Sequence, residues 1–529
     1  MGCPEPDGWD WDKGESERVL FCYMNAADLQ DAGQELGGIA ASEMYGVLSE
    51  DVIAELRAAV GADGLIVEQN QLQTYECDGL VALRTMPGAV VLPRSAAEVQ
   101  AVVRVCAAHR IPFVARGAGT GLSGGALPAA GGIVIGFARM TRILAVDIPN
   151  QRVTVEPGVI NAHVTARVSP AGYFYAPDPS SQSVCTIGGN LAENAGGAHC
   201  LKYGFTTTHT LSLDVVLPTG EMVHMGSEVA DAPGYDLAGV MVGSEGTLGV
   251  ITAATLRIVK KPETVQVLLA AFDTIAAAGQ TVSDIIAAAI LPAAMEIMDK
   301  LSIEAAEAAV HPNYPMCEAL LLIEVDGPAA EVTLQVEAIR QMCAANGAWE
   351  VRLAQSEKER YLVWKGRKAA FAAAGRLAPN YIVQDGVIPR TKLPVILEEI
   401  GVMAAETGLR VTNVFHAGDG NLHPIVLYDA SVPGQEVIAV DLSMRILHRC
   451  VDHGGSITGE HGVGKEKQEA MGYMFREPDL ETMLLVRSAF DPAWIANPDK
   501  VFPRPRLCGE KTGPYVPHPL EVSGEASYF

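Results

Sequence analysis

Hydrophobic positions near residue 100 change from strand-like to helix-like spacing and back. Unbroken or nearly unbroken apolar runs over 89–92 and 111–115 predict two short buried strands. Between them, apolar side chains recur on one helical face over 99–106, after the S-x-x-E start signal formed by Ser95 and Glu98. The pattern therefore predicts a strand, a helix and a second strand in succession.

The hydrophobic pattern changes again after Lys260-Lys261-Pro262. Residues 117–260 contain short strand-like runs separated by glycine clusters, whereas alanine-rich helical stretches alternate with strands such as 319–325 beyond that point. We therefore predict an α+β chain with a first domain over 48–262 and a second over 263–505.

The two ends of the chain have no comparable pattern. Residues 1–43 contain ten acidic and two basic residues with little periodicity, so we expect a disordered acidic leader there. We assign residues 506–529 to a C-terminal tail.

Composition narrows the classes of protein that fit. A chain of 529 residues, 49% of them hydrophobic and 19% charged, is globular and too long for one core. Its 38 basic and 63 acidic residues give a formal net charge of −25, which repels phosphate backbones and anionic lipid. We therefore expect no nucleic-acid partner.

No segment resembles a transmembrane helix or a signal peptide. The longest uncharged stretch, 117–138, contains eight glycines and Pro128, so it cannot form a lipid-exposed helix. The ten cysteines form no C-x-x-C pair, which argues against an iron–sulfur cluster or a structural zinc site. Scattered free thiols indicate the cytoplasm.

The first chemical motif is the loop RGAGTGLSGG over 116–125, with five glycines in nine positions after a predicted strand. Such a backbone can approach a diphosphate and donate consecutive N–H groups to it. Gly119-x-Gly121-x-x-Gly124 also matches the dinucleotide fingerprint, but Pro128 precedes a strand and not the long helix that a Rossmann loop requires. A glycine-rich surface turn remains the alternative.

Further glycine clusters follow within one domain length, each of which alone is compatible with an ordinary tight turn. Together, with their Asn, Ser and Thr donors, they indicate a groove for an extended cofactor. The clusters begin at Pro157, Pro177, Ile187, Asn194 and Gly243.

A second motif predicts a metal site. Residues 411–427 form two strand-like runs joined by Gly-Asp-Gly-Asn, and folding back at that turn brings His416 and His423 together. Glu460, after another strand-like run, offers a carboxylate as third ligand. This set suits zinc, manganese or iron better than magnesium or calcium. Separately packed or surface histidines are the alternative.

The motifs together resemble a known family. Over residues 48–505 the chain is similar to the vanillyl-alcohol-oxidase/PCMH-type flavoproteins, in particular to their 2-hydroxy-acid branch of glycolate oxidases, D-lactate dehydrogenases and D-2-hydroxyglutarate dehydrogenases. The matching segments are PRSAAEVQAVV, RGAGTGLSGGA, PDPSSQSVCTIGGNLAENAGG, GSEGTLGVI, HAGDGNLH, GEHGVGK and FDPAWIANPDKVFP.

The resemblance implies a PCMH-type FAD-binding lobe followed by an FAD-linked-oxidase cap domain. It also implies non-covalent FAD, because Thr120 stands where tethering members carry a histidine. The residues that it assigns to the flavin are Arg116, Gly117, Ala118, Gly119, Thr120, Gly121, Leu122, Ser123, Gly124, Gly125, Pro177, Gly188, Gly189, Asn190, Asn194, Gly197, Gly243, Gly249, Val250 and Ile251.

The same resemblance strengthens the expectation of a divalent metal on His416, His423 and Glu460, and it implies that Arg367 grips the substrate carboxylate. From the residues alone a surface helix arginine is favoured, because the basic neighbours of Arg367 fit a solvated helix face. His461, next to a ligand, is the expected general base; a supporting partner of the metal ligands is the alternative.

The expected activity is FAD-dependent oxidation of a small 2-hydroxy acid to the 2-oxo acid. The D-2-hydroxyglutarate enzymes of the family carry a polar residue two positions after the second histidine, where this chain has apolar Ile425. The resemblance therefore implies a short substrate such as glycolate, while D-lactate stays open. A flavin-binding subunit without its own catalysis and an NADPH-dependent reductase are the rival classes.

Electrons must leave the flavin, and the chain has no cysteine cluster to receive them. The resemblance implies a second flavin subunit and an iron–sulfur subunit as partners, through which the protein could lie peripheral to a membrane. A homo-oligomer is also compatible with the sequence.

Overall fold

The computed structural model describes residues 45–229 and 233–503. The predicted leader over 1–43 and tail over 506–529 lie outside these residues. None of the helices in the described part is long and apolar enough to cross a membrane.

The first part of the described chain contains two principal sheets. One has the order β1-β2-β4-β3, and the other is antiparallel with the order β5-β6-β10-β8-β9, while β7 pairs with β11. The strands are β1 (Leu65–Ile66), β2 (Ala89–Val91), β3 (Phe113–Arg116), β4 (Ile133–Gly136), β5 (Ile143–Asp147), β6 (Arg152–Val155), β7 (Tyr173–Phe174), β8 (Thr210–Val216), β9 (Met222–Gly226), β10 (Val250–Arg257) and β11 (Val259–Lys260). The helices are α1 (Glu50–Val60), α2 (Gln69–Leu72), α3 (Ala96–His109), α4 (Asn161–Val168), α5 (Ile187–Glu193), α6 (Cys200–Tyr203) and α7 (Leu237–Met241).

The predicted strand–helix–strand unit is confirmed as β2, α3 and β3. The Ser95 hydroxyl accepts the N–H of Glu98 at 3.3 Å and begins α3, and the predicted apolar face of the helix is buried. Both strands pair in parallel with β4. No helix follows β3 directly, because residues 117–132 form a loop that leads into β4, so the argument against a Rossmann loop is confirmed.

A nine-stranded sheet dominates the rest of the described chain. Its main order is β15-β12-β14-β13-β18-β19-β17, and β20 pairs with both β16 and β18. The strands are β12 (Thr264–Phe272), β13 (Ala294–Asp299), β14 (Ala319–Gly327), β15 (Glu350–Leu353), β16 (Asn380–Val383), β17 (Gly386–Val387), β18 (Arg410–His416), β19 (Asn421–Leu422) and β20 (Pro424–Tyr428). The helices are α8 (Ile275–Ala287), α9 (Lys300–Val310), α10 (Ala329–Ala345), α11 (Glu357–Ala373), α12 (Leu393–Thr407), α13 (Gln435–Asp452), α14 (Gln468–Met474) and α15 (Glu477–Phe490).

Hydrophobic cores lie on both faces of this sheet. Leu268 and Phe272 of β12 belong to one core, whereas Val267 and Leu269 belong to the other. Alternate residues of a strand point to opposite faces, so helices must cover both sides. Burial on two sides explains why these strands are almost continuously apolar.

The last described residues return to the first sheet. The backbone of Phe113 in β3 exchanges hydrogen bonds with Ile495 and Asn497, at 2.8 and 2.7 Å. This segment therefore adds to the first lobe, although it falls within the range 263–505 predicted for the second. The boundary near residue 262 stays a prediction.

Candidate active site

A large cavity lies between the glycine-rich loops and reaches the second lobe. Its lining includes Phe371 of α11 and the loop residues Glu460 and His461 from the second lobe. The first lobe contributes Ala115, Arg116, Gly117, Ala118, Gly119, Thr120, Gly121, Leu122, Gly125, Ala126, Phe137, Pro157, Pro179, Ser180, Ser181, Cys185, Thr186, Gly188, Gly189, Asn190, Ala192, Glu193, Ala195, Gly196, Met241, Ser244, Glu245, Gly246, Gly249 and Ile251.

The glycines of this lining permit close packing. Gly119 has φ +70°, and a Cβ there would collide with the guanidinium of Arg116, so only glycine fits without strain. The Nη1 atom of Arg116 and the Nδ2 atom of Asn190 are buried without a hydrogen-bond partner. Two unsatisfied donors beside a glycine-rich loop fit the acceptor-rich surface of a dinucleotide cofactor such as FAD.

Thirteen of the residues predicted for the flavin line this cavity, and seven do not. Those in the lining are Arg116 to Leu122, Gly125, Gly188, Gly189, Asn190, Gly249 and Ile251. Ser123, Gly124, Pro177, Asn194, Gly197, Gly243 and Val250 lie outside the lining. Several of these support it instead. Asn194 ends α5 in the left-handed conformation, and Val250 is a fully buried core residue of β10.

The structure brings His416 and His423 together as the strand–turn–strand pattern predicts. His416 ends β18 and His423 lies between β19 and β20, with ring centroids 5.1 Å apart. Gly420 in the turn has φ +84°, and a Cβ there would collide with the backbone oxygen of Ile388. The strand predicted before Glu460 is wrong, because residue 456 makes only an isolated bridge and a loop follows it.

Glu460 completes a compact group of potential metal ligands. Its Oε1 atom lies 3.1 Å from His423 Nε2 and 3.4 Å from His416 Nε2, and one ligand atom from each residue lies within 4.8 Å of the others. His416 and His423 are buried. Two imidazole nitrogens and a carboxylate oxygen form a donor set that fits zinc, manganese or iron.

The other ring nitrogen of each histidine is already engaged. His423 Nδ1 donates to the Gln384 carbonyl at 3.1 Å, which leaves the lone pair on Nε2. His416 Nδ1 lies 2.8 Å from Glu296 Oε1. Metal-binding histidines have such partners, because they fix the tautomer and the ring orientation. The arrangement therefore fits a metal at the Nε2 atoms.

The electrostatics of the ligand group favour an imidazolium–carboxylate arrangement when no metal is bound. Burial opposes charge on His416, but Glu296 and Glu460 outweigh it and raise the pKa of His416 well above the usual value. Burial also opposes ionisation of Glu460, yet the facing rings of His416 and His423 hold the pKa of this carboxyl well below its usual range.

His461 borders both the cavity and the ligand group. Its ring is stacked on His423 with centroids 5.0 Å apart, and burial lowers the pKa of His461 to about 4, with Asp385 opposing the shift. Asp385, His423 and His461 form a second group with metal-like spacing. It is the weaker candidate, because Asp385 already accepts several hydrogen bonds from the 458–461 loop.

Arg367 is buried in α11, with 2% of its surface exposed, so the surface-helix alternative is wrong. Its Nε donates to Glu296 Oε2 at 2.7 Å, and the other oxygen of Glu296 meets His416. Glu296 was not predicted from the sequence, although a carboxylate in the middle of the otherwise apolar run of β13 is a usable signal. Arg367 is not part of the cavity lining, and its contact with a substrate stays a prediction.

Two family models match successive regions of the chain. The FAD binding domain matches residues 87–226, and the C-terminal domain of FAD linked oxidases matches residues 261–501. The glycine-lined cavity lies mainly in the first region and the histidine–carboxylate group in the second.

Named relatives are similar to this chain over most of its length. The chain is 47% identical to the glycolate oxidase subunit GlcD of Escherichia coli (strain K12), covering 88% of this chain and 94% of that protein. It is 38% identical to the corresponding subunit of Bacillus subtilis (strain 168), covering 86% and 97%. A D-lactate dehydrogenase of Anaerostipes hadrus is 32% identical, covering 79% and 90%.

A solved structure of p-cresol methylhydroxylase with substrate bound superposes with a TM-score of 0.73 at 16% identity, covering 88% of this chain and 98% of that one. This likeness confirms the predicted α+β, PCMH-type fold. Cavity, fold and domain order together define an FAD-dependent oxidoreductase. The chain belongs to the family of FAD-linked oxidases.

Proposed function

We propose that the chain oxidises a small 2-hydroxy acid, with glycolate as the first candidate, to the 2-oxo acid as the FAD-carrying subunit of a glycolate oxidase. The observation that supports this most is the cavity, which joins the glycine-rich loops to Glu460 and His461. D-Lactate is the second candidate, because a relative at 32% identity is a D-lactate dehydrogenase.

The substrate needs its hydroxyl and its α-hydrogen held in a fixed orientation. His416, His423 and Glu460 would hold a divalent zinc, manganese or iron ion beside the cavity. When bound, such an ion would supply Lewis-acid polarisation of the substrate hydroxyl, and FAD would supply the hydride acceptor. The glycine-rich loops that line the same cavity would hold the FAD.

His461 is the proposed general base, because it lines the cavity directly beside Glu460. It would take the hydroxyl proton while the α-hydrogen leaves as hydride, so the products are the 2-oxo acid and the reduced cofactor. Arg367 is the proposed anchor for the substrate carboxylate, since a guanidinium can donate two parallel hydrogen bonds to it.

Electrons from the reduced flavin require an acceptor beyond this chain. The cysteines of the described residues carry free thiols, and the sequence has no C-x-x-C pair. We therefore propose that a second flavin subunit and an iron–sulfur subunit accept the electrons. The protein would then be cytoplasmic and reach a membrane through those subunits.

Anaerobic bleaching of the bound flavin tests this function. The wild-type chain is mixed without oxygen with glycolate, D-lactate, L-lactate or D-2-hydroxyglutarate, and flavin absorbance is followed. We expect glycolate to bleach the flavin fastest. His461→Ala should slow bleaching by ~10²- to 10⁴-fold, the usual contribution of a general base, without changing flavin content.

His224→Ala is the matched control, because His224 is an exposed histidine paired with Asp214 outside the cavity lining. It should bleach at the wild-type rate. If no hydroxy acid bleaches the wild-type flavin, the proposed oxidation is wrong and the chain is a flavin-binding subunit without its own catalysis. Bleaching by NADPH alone would favour a reductase, and unaltered bleaching in His461→Ala would remove the base assignment.

A further inference from the structure

A buried carboxylate stands behind the loop that carries Glu460 and His461. Asp385, in the short connection between β16 and β17, is fully buried. It belongs to neither the cavity lining nor the His416–His423–Glu460 group. In the second possible metal group, Asp385–His423–His461, its carboxylate already accepts hydrogen bonds from the 458–461 loop. That loop therefore explains the position of Asp385 better than direct contact with a ligand does.

Asp385 collects the hydrogen-bond donors of that loop. Its Oδ2 atom accepts the backbone N–H groups of Gly459 at 3.0 Å and His461 at 2.8 Å. The Glu460 N–H lies 3.2 Å from both oxygens. The Thr458 hydroxyl donates to Oδ2 at 2.6 Å. Three consecutive N–H groups on one carboxylate fix the backbone from which both functional side chains project.

The preceding residue orients a second ligand. The carbonyl of Gln384 accepts the Nδ1–H of His423. Two adjacent residues, Gln384 and Asp385, therefore orient His423 and the loop that carries Glu460 and His461. The ammonium of Lys467, itself fully buried, lies 3.3 Å from Asp385 Oδ2 and balances its charge. Burial works against the ionised form, but His461 and Lys467 outweigh it, and the pKa of Asp385 is held below its usual range.

We propose that Asp385 is the positioning residue that holds Glu460 and His461 in the geometry required for metal binding and proton transfer. This role rests on the proposed function, because it presupposes a metal on His416, His423 and Glu460. An asparagine would keep the size of Asp385 but replace one acceptor with an N–H donor. That donor would face the loop N–H groups and displace them.

Zinc affinity of the full-length, FAD-loaded chain tests the proposal. Metal-free protein is titrated with Zn²⁺ in competition with a chromophoric chelator. Asp385→Asn should bind zinc ~10- to 100-fold more weakly, as expected for a lost partner behind metal ligands, with flavin content unchanged. At saturating zinc, this variant should regain at least part of its bleaching by glycolate, because the ion would fix Glu460 again, whereas a general folding defect would not respond to zinc.

Asp491→Asn is the matched control. Asp491 is also fully buried and accepts the backbone N–H groups of Ile495 and Ala496, away from the ligand group. It should leave zinc affinity within about two-fold of the wild-type value, because no metal ligand depends on it.

Where Asp385→Asn does not fold, Thr458→Val removes one donor to Asp385 and should still weaken zinc binding by ~3-fold or more, the size of one hydrogen bond. Unchanged zinc affinity in the folded variant, or bleaching that zinc does not restore, would overturn the positioning role. A wild-type chain that binds neither zinc, manganese nor iron would instead overturn the metal site of the proposed function.

Discussion

Charged side chains in the site are stabilised by specific neighbours. Glu296 has no exposed surface, yet it accepts from Arg367 on one oxygen and meets His416 on the other. His416 and Glu296 are directly opposite in the pairing of β13 with β18, so their side chains leave the same face of the sheet. A buried charge is tolerable only with such partners.

Removing one member of the buried group Arg367–Glu296–His416 should therefore lower the free energy of unfolding. Arg367→Met leaves Glu296 with His416 alone, and we expect a loss of ~3–5 kcal/mol in the free energy of unfolding, typical of a broken buried pair. The double variant Arg367→Met/Glu296→Leu should be less destabilised than Arg367→Met, because it leaves no buried carboxylate that has lost its guanidinium partner. Chemical denaturation of the metal-free protein measures both. A double variant that is less stable than the single one would contradict this explanation.

Among the helices and strands, the sequence predicted the features that depend on residues close together in the chain. The start of α3 depends on Ser95 and Glu98, three residues apart, and the approach of His416 to His423 depends on one turn between them. Contacts between distant segments had no such signal. Asp385 meets the loop at Glu460 only because the chain returns there after 75 residues. Periodicity therefore predicted the strand–turn–strand segment that carries His416 and His423. It did not predict the carboxylates of Glu296 and Asp385, which come from distant parts of the chain.

The same distinction applies to the glycine loop. Its glycines were recognised from spacing, but the individual reason for each one depends on a neighbour. Gly119 must lack a side chain because Arg116 occupies that space, whereas Gly131 has a similar φ of +72° and open space around it.

Gly119→Ala and Gly131→Ala therefore form a matched pair. Both should lose ~1–2 kcal/mol in stability, because an L side chain strains a left-handed backbone. Gly119→Ala alone should also lose flavin, because its Cβ displaces the guanidinium of Arg116 from the cavity wall. Flavin absorbance per polypeptide after gel filtration provides the measurement. Equal flavin content in the two variants would show that the Arg116 contact is unimportant for the cofactor.

At the scale of the molecule, the two lobes meet through charged groups as well as through the cavity. His199, in the connection before α6 of the first lobe, lies 3.0 Å from Asp178 and 3.1 Å from Glu324 of β14 in the second lobe. Lys368 of α11 lies 3.3 Å from Asp178, and Lys202 pairs with Asp326. These contacts therefore join the first lobe to β14 and α11 of the second.

His199 should make this contact depend on pH. Burial opposes its charge, but Asp178 and Glu324 outweigh that effect and raise the pKa of His199 well above the usual value. A histidine whose pKa is raised on folding stabilises the folded state. This stabilisation is fully present at pH values below the pKa of the unfolded histidine, about 6.5. That contribution is lost as the pH rises through the higher folded value. Asp178 stays charged throughout this range, because His199 and Lys368 outweigh its burial and lower its pKa.

The comparison of wild type with His199→Gln isolates this contribution, because glutamine keeps a hydrogen-bond donor but no charge. We expect wild type to be the more stable by ~1–3 kcal/mol near pH 6, the value of hydrogen bonds to charged groups. The difference should shrink as the pH rises above 6.5 through the raised pKa of His199. Chemical denaturation across this range, with exposed His224→Gln as the control, measures it. A difference between wild type and His199→Gln that stays constant or grows with pH would show that the charge of His199 does not hold the lobes together.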